Sequence, residues 1–291
     1  KKHVITSEIE HPALLNVLKR FKQFGVDSTI LKVDKTGTIN PDDLENSIRE
    51  NTGLISIMFA NNEIGTIQPI KELSQIATKH NIPFHSDGVQ ALGKIPVDIN
   101  DLGVDLMSFS GHKFYGPKGV GALFLKNNTT LRSLILGGGQ ERNLRAGTEN
   151  VPGIAGIGMA AEIAKTNLKK MQKHLMHLEQ VFKNSLTNCV KNIIFNTSPE
   201  QLPGVVSVTI PSVDSSRLII GLSRKGMAIS SGSACASGSV KPSHVLKAIG
   251  LSNEHNLKTL RISFGKGNSE KETLELVKAI SEIINGKPQN V

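Results

Sequence analysis

The residue best placed to do chemistry in this chain is a lysine that follows an apolar stretch. Residues 104–109 are typical of a buried strand, and Lys113 comes shortly after them, just before Gly116 and Pro117 break the pattern. An amine held in an apolar setting is more often neutral, and a neutral amine is a nucleophile. We therefore expect Lys113 to be reactive, although a solvated lysine at a strand end fits this segment alone equally well.

A carboxylate lies at the end of a second predicted strand. Residues 83–86 lead directly to Asp87, and Gln90 follows about one turn later. With Lys113, this carboxylate meets the needs of pyridoxal phosphate: the lysine holds the cofactor as a Schiff base, and the carboxylate keeps the pyridine nitrogen protonated. Gln90 is placed to contact the phenolic oxygen. The alternative, an Asp that only caps a helix, stays open on the local pattern.

Four more polar residues lie close to predicted strand ends or helix starts. Asn62 follows the predicted strand over residues 54–59 and belongs either to a pocket wall or to a polar turn. His11 could stack on a flat ring or simply begin a helix. Ser110 and His112 could bind a phosphate, although a histidine such as His112 is more often a packed or surface residue.

Two arginine-containing segments suggest anion binding. Arg261 lies in a predicted strand over residues 259–264, and its guanidinium matches a carboxylate in bidentate fashion. Residues 137–148 form a glycine-rich loop that ends at Thr148. Its backbone N–H groups could approach a phosphate, or the loop could contact another subunit. It matches neither common glycine-rich nucleotide motif.

The two cysteines differ in their surroundings. Cys235 lies in residues 230–239, ten consecutive small residues that are typical of a mobile loop. A lone cysteine in such a loop is accessible as a thiolate nucleophile, or is incidental to a flexible linker. Cys189 lies among apolar residues, so we expect it to be a small buried side chain.

Composition limits the classes of function. The chain has 291 residues, a net charge of +9 and no apolar run near the ~18 residues of a membrane span. The positive charge is scattered and densest over residues 165–173, and aromatic residues are scarce, so we expect neither nucleic-acid nor membrane binding. Two cysteines give no disulfide framework and no metal-ligand spacing, which favours a reducing compartment and no bound metal.

The elements that must position these residues alternate between strands and helices. Short apolar strands and amphipathic helices follow one another up to about residue 125, which predicts a mostly parallel sheet covered by helices. Such sheets bind ligands at the carboxyl ends of their strands. A long helix is predicted from Pro152 to about Leu186, followed by a smaller α+β region. We place the domains at residues 1–165 and 166–291.

In order along the chain, these segments resemble the cysteine desulfurases, which are pyridoxal-phosphate enzymes of the class V aminotransferase group. The resemblance covers essentially the whole chain and rests on NNEIG, HSDGVQ, SFSGHKFYGPKG, GGGQERNLRAGTEN and SSGSACASGSVKPSHVLKAIG. Each motif is unspecific alone, whereas the combination is specific. It implies an α/β fold of the pyridoxal-phosphate transferase type I, similar to aspartate aminotransferase, with a large domain and a smaller α+β domain.

The resemblance also implies a role for each residue. Lys113 would hold pyridoxal phosphate and act as acid and base, Cys235 would accept sulfur, and His11 would stack on the ring. Asp87 would contact the pyridine nitrogen, and Gln90 the phenolic oxygen. Ser110 and His112 would bind the cofactor phosphate, and Thr148 would reach the phosphate bound by the partner subunit. Asn62 and Arg261 would bind the substrate carboxylate.

The implied activity is conversion of L-cysteine to L-alanine, with the sulfur held as a persulfide on Cys235. The implied partners are iron–sulfur scaffold or sulfur-relay acceptor proteins and a second copy of the chain, with tRNA thiolation as a further destination of the sulfur. The implied location is the cytoplasm, or the mitochondrial matrix in a eukaryote. Transamination, selenocysteine lysis and a docking role without catalysis remain alternatives.

One departure from the family concerns the N-terminus. Family members carry further residues before the point that matches Lys1, including a loop that binds the cofactor phosphate. The chain begins without Met, and residues 4–6 already have the character of a strand. We therefore expect an N-terminally truncated chain that, on its own, binds pyridoxal phosphate weakly or not at all and is inactive.

Overall fold

Strands and helices alternate through the first part of the chain. The structure, a computed structural model, describes residues 1–232 and 242–286. Its first elements are β1 (His3–Ser7), α1 (Pro12–Phe21), β2 (Asp27–Leu31), α2 (Pro41–Asn46), β3 (Thr52–Met58), α3 (Ile70–Lys79), β4 (Phe84–Asp87), α4 (Ile99–Leu102), β5 (Leu106–Ser110) and β6 (Gly121–Leu125).

These strands form one six-stranded sheet in the order β2-β1-β3-β4-β5-β6. All neighbours pair in parallel except β6, which runs antiparallel to β5. Apolar side chains such as Ile55, Ile57 and Phe84 are fully buried between the sheet and its helices. This confirms the predicted α/β fold with a mostly parallel sheet, whose central strands are apolar because helices cover them.

The second part of the chain forms a smaller antiparallel sheet, in the order β7-β8-β10-β9. Phe182 is fully buried in its core and meets Phe264 edge-to-face, with ring centroids 5.9 Å apart. The elements are α5 (Val151–Cys189), β7 (Ile194–Phe195), β8 (Val205–Thr209), α6 (Ser215–Arg224), β9 (Ser230–Ser231), α7 (His244–Ala248), α8 (Asn253–Leu257), β10 (Thr259–Ser263) and α9 (Glu270–Ile284).

A separate apolar cluster joins the two halves of the chain. Val245 and Leu246 of α7 pack with Ile9, which lies shortly after β1, and with Met58, which ends β3. The segment just after residue 241 therefore rests on the first sheet. The division into residues 1–165 and 166–291 remains a prediction, and it falls within α5.

The longer helices and strands agree with those predicted from the sequence pattern, whereas the shortest ones were not predicted. α4, α8, β7 and β9 have between two and five residues, too few to show a period of 3.6 or 2. α7 begins at His244 because the Ser243 hydroxyl caps the backbone N–H groups of Val245 and Leu246. Within residues 1–232 and 242–286, no helix has both the length and the apolar character of a membrane span.

We expect Gly121→Ala to destabilise the protein by about 2 kcal/mol, because a Cβ at Gly121 would lie 2.7 Å from the backbone oxygen of Phe109. The matched control is Gly158→Ala in α5, where a Cβ meets nothing within 4 Å. That change should stabilise the protein by up to about 1 kcal/mol. Urea unfolding measures both, and an unchanged midpoint for Gly121→Ala would show that β6 does not hold β5 this closely.

Candidate active site

Four neighbouring strands deliver polar residues to one edge of the first sheet. In the parallel arrangement β1-β3-β4-β5, His11 lies shortly after β1, Asn62 lies after β3, and Asp87 and Ser110 end β4 and β5. The pairing register sets Asp87 beside Met58 on one neighbouring strand and Ser108 on the other. Because parallel strands end on the same side, these residues share one edge, where such sheets bind ligands.

Asp87 is held by the turn that follows it. Its Oδ1 accepts a hydrogen bond of 2.9 Å from the backbone N–H of Val89, and the chain continues as a turn rather than a helix. A Cβ on Gly88 would lie 2.6 Å from the side chain of Met107, so the backbone packs tightly here. The carboxylate therefore has a fixed position at the sheet edge, and among the described residues its side chain makes no other hydrogen bond.

Lys113 is exposed rather than enclosed by apolar side chains, which corrects the expected setting. A 3-10 turn over Gly111–Phe114 follows β5, buries Phe114 and turns the lysine outward. The Ser110 hydroxyl and His112 Nδ1 lie 2.9 Å apart beside it. Lys113 lines a cavity of about 560 Å³, whose other walls include residues of α5. Its side chain thus lines the cavity and is accessible.

Lys94 is a half-buried lysine close to Lys113, and nothing in the sequence pattern selects it. Desolvation, followed by the nearby charges of Lys113 and Arg261, lowers the pKa of Lys94 to about 8. Its Nζ lies 3.1 Å from Gln90 Oε1, and the residue lines the same cavity as Lys113. Only the tertiary packing around residues 90–95 distinguishes it from a surface lysine.

Arg261 reaches the site from the second sheet. It lies in β10 and donates a hydrogen bond of 3.2 Å from Nη1 to the backbone oxygen of Asn62. Its Nε–H is buried and has no acceptor among the described residues. An arginine with an unpaired donor at the sheet edge is suited to bind an anionic group such as a carboxylate.

Two hydrogen bonds fasten the start of α7 to the same edge. The Ser243 hydroxyl donates to Glu63 Oε2 over 2.5 Å, and His244 Nε2 lies 2.9 Å from the backbone oxygen of Glu10. Burial raises the pKa of Glu63, while the Ser243 hydrogen bond opposes that change. Residues 242–244 are therefore anchored beside the residues that lead to Asn62 and His11.

Glu10 is a buried carboxyl group that sequence reasoning also missed. Its Oε1 accepts hydrogen bonds from the Ser7 hydroxyl at 2.7 Å and the Met58 N–H at 2.8 Å, while Oε2 is buried without a partner in the described residues. Burial raises its pKa to about 8, and the charge of Asp87 acts in the same direction. Glu10 is thus a neutral acid at pH 7, directly before His11.

His11 has the helix-starting role that the local pattern allowed. Its Nδ1 accepts a hydrogen bond of 3.1 Å from the Ala13 N–H and so caps α1. Thr148 is exposed in the loop before α5. Cys235 lies outside the described residues. Cys189 is exposed at the end of α5, which corrects its expected burial; Leu186 of the same helix is buried, and Val190 is buried just after the helix ends.

Comparison with known proteins gives a consistent result. The family described as Aminotransferase class-V matches residues 1–276. A cysteine desulfurase IscS of Methanosarcina thermophila is 44% identical over 283 residues, which cover 97% of this chain and 70% of that protein.

Solved structures agree. A NifS-like protein superposes with a TM-score of 0.91 at 39% identity, covering 98% of this chain and 76% of the other. A structure described as SspA in complex with cysteine has a TM-score of 0.79 at 39% identity, covering 91% and 74% of the two chains.

The buried acid gives a pH prediction. Since burial raises the Glu10 pKa from 4.5 to about 8, the folded state holds a proton that the unfolded state has lost, and stability falls as pH rises through that window. Glu10→Gln keeps the shape without the titration. Between pH 5 and 8, we expect the free energy of unfolding of the variant to rise relative to that of the parent protein, by about 3 kcal/mol at pH 8.

Urea unfolding of both proteins at several pH values between 5 and 8 tests this expectation. The lowered pKa of Lys94 affects stability only above about pH 8, which is outside that window. The pKa values of His3 and His85 are also lowered, but this effect is the same in both proteins and cancels in the difference. A difference in free energy of unfolding that stays constant with pH would mean that Glu10 is ionised in the fold.

Proposed function

We propose, from the fact that this chain belongs to the class-V aminotransferase family, that it is a cysteine desulfurase. The family uses pyridoxal phosphate, and desulfurases within it account for the similarity along nearly the whole chain. One observation carries the proposal: Arg261 of the second sheet hydrogen-bonds to Asn62 at the edge that also bears Asp87 and Lys113. That brings an anion-binding arginine to the residues suited to the cofactor.

The residues at the sheet edge fit pyridoxal phosphate by the chemistry of their donors and acceptors. Asp87 offers an anchored carboxylate for the pyridine nitrogen, and Lys113 an accessible amine for the aldehyde. Ser110 and His112 offer a hydroxyl and an imidazole for the phosphate, 2.9 Å from each other. When bound, the cofactor supplies an electron-withdrawing ring that weakens bonds to the α-carbon of an attached amino acid.

The remaining contacts to the cofactor extend this assignment. We assign Gln90 to the phenolic oxygen and His11 to the face of the ring, where its capping bond to Ala13 would hold the imidazole. Thr148 is exposed before α5, which suits a contact to the phosphate in a partner subunit of a homodimer.

The chain's own residues then divide the work on L-cysteine. Arg261 binds the substrate carboxylate, together with the Asn62 side chain. The Lys113 amine accepts the α-proton of the substrate and later donates a proton to form the product. This double role requires an amine that is mobile and accessible. Asp87, whose Oδ1 accepts the Val89 N–H, would hold the pyridine nitrogen.

Cys235 is assigned as the sulfur acceptor from the anchoring of its neighbours. Ser230 pairs with Arg261 in the second sheet, and Ser243 binds Glu63, so described residues on either side of 233–241 lie beside the substrate site. The Cys235 thiolate attacks the substrate sulfur; an S–S bond forms, the C–S bond breaks, and the β-carbon takes a proton. The products are L-alanine and a persulfide on Cys235, so atoms and electrons balance without another oxidant.

The persulfide defines the partners. Its outer sulfur has to pass to a thiol or a metal–sulfur assembly site, so we propose iron–sulfur scaffold proteins or sulfur-relay acceptors, including those of tRNA thiolation. Such transfer needs free thiols, which places the activity in a reducing compartment such as the cytoplasm or the mitochondrial matrix.

A pair of cysteine substitutions tests this assignment. In the protein expressed from its complete gene, we expect Cys235→Ala to reduce sulfide and alanine formation from L-cysteine by at least about a hundredfold, because the acceptor thiol is lost. Cys189→Ala is the control: the same change at an exposed cysteine at the end of α5. Full activity of Cys235→Ala would show that another group accepts the sulfur, and a sulfur-containing α-keto acid formed without sulfide would indicate transamination.

A further inference from the structure

Gln90 and Lys94 form a contact that has no role in the proposed function. Lys94 Nζ lies 3.1 Å from Gln90 Oε1, four residues back along the turn that follows Asp87. Lys94 shares the cavity wall with Lys113, and the charges of Lys113 and Arg261 both act on it. The contact therefore lies close to Lys113 and Arg261.

The chemistry of this contact determines how the Gln90 amide is turned. A protonated lysine has three donors and no acceptor, so it binds the oxygen of an amide and not its nitrogen. With Oε1 committed to Lys94, the amide presents Nε2–H as its free end. A free N–H donor is the group that a phenolate oxygen requires, whereas the amide oxygen would repel it.

Holding a lysine here is costly to the fold. Desolvation and two neighbouring cations all disfavour the ammonium, which is why the pKa of Lys94 falls to about 8. A residue that only packed the turn would do so at lower cost with an apolar side chain. This cost is consistent with a role in arranging the site.

We infer that Lys94 is a positioning residue that fixes the Gln90 amide with its N–H end toward the cofactor's phenolic oxygen. The inference rests on the proposed pyridoxal-phosphate function. Removing the Lys94 donor would let the amide turn over, and the phenolic oxygen would lose its donor in part of the molecules.

A double-substitution experiment on the protein from its complete gene tests the inference. Lys94→Met keeps the length of the side chain without the donor, and Lys94→Arg keeps a donor-only cation. We expect Lys94→Met to raise, by about one unit, the midpoint of the pH-dependent absorbance change of the bound cofactor, since a donor to the phenolate favours the deprotonated chromophore. Cofactor affinity should fall about tenfold, and Lys94→Arg should restore most of both.

Coupling to Gln90 distinguishes positioning from a general effect of charge. In a Gln90→Ala background, Lys94→Met should change the midpoint by less than about a third of its effect in the parent. Lys170→Met is the matched control, because Lys170 lines the same cavity without a described contact to Gln90. The other titratable groups that line this cavity are Lys113, Tyr115, His174 and Lys266, and Arg261 acts on Lys94 through its charge; none of them is changed in these variants.

The outcomes separate the two claims. An equal effect of Lys94→Met with and without Gln90 would overturn the inference, as would a normal midpoint and affinity in Lys94→Met alone. Urea unfolding without cofactor should show no loss of stability in Lys94→Met; a large loss, with no rescue by Lys94→Arg, would assign Lys94 to the fold. A parent protein that takes up no cofactor would contradict the proposed function, and this inference with it.

Discussion

The parallel pairing of β1, β3, β4 and β5 is the constraint on which the site depends. Residues that are up to a hundred positions apart in the chain meet only because these four strands end at the same edge. The antiparallel β6 then closes beside β5, where Gly121 pairs with Ser110 and lets the two backbones approach closely. The position of Lys113 follows from that arrangement, since its turn begins where β5 stops.

Charge at this edge is arranged by burial. Glu10, fully enclosed, keeps its proton, while Asp87 lies at the rim, where its turn supplies an N–H donor. Lys113 and Arg261 lie close enough to Lys94 for their charges to lower its pKa. A cluster of cations that repel one another favours anionic ligands, and both a phosphate-bearing cofactor and an amino-acid carboxylate are anionic.

Sequence reasoning succeeded where a residue type and a strand end coincide. Asp87 and Ser110 each terminate a strand that the sequence pattern predicts, so their placement at one edge could be predicted before the fold was known. Lys94 and Glu10 could not, because their importance comes from desolvation by distant segments. For Lys113 the apolar run before it suggested enclosure, whereas the 3-10 turn faces it outward. The role of α7 was equally hidden, since Ser243 meets Glu63 across 180 residues.

The most direct measurement is to locate the lysine that reacts with the cofactor. Protein from the complete gene would be mixed with pyridoxal phosphate, reduced with borohydride and digested, and the labelled peptide identified by mass spectrometry. An accessible amine next to Ser110 and His112 predicts that Lys113 carries the label. Label on Lys94, which has the lowered pKa and lines the same cavity, would show that this account assigns the wrong amine.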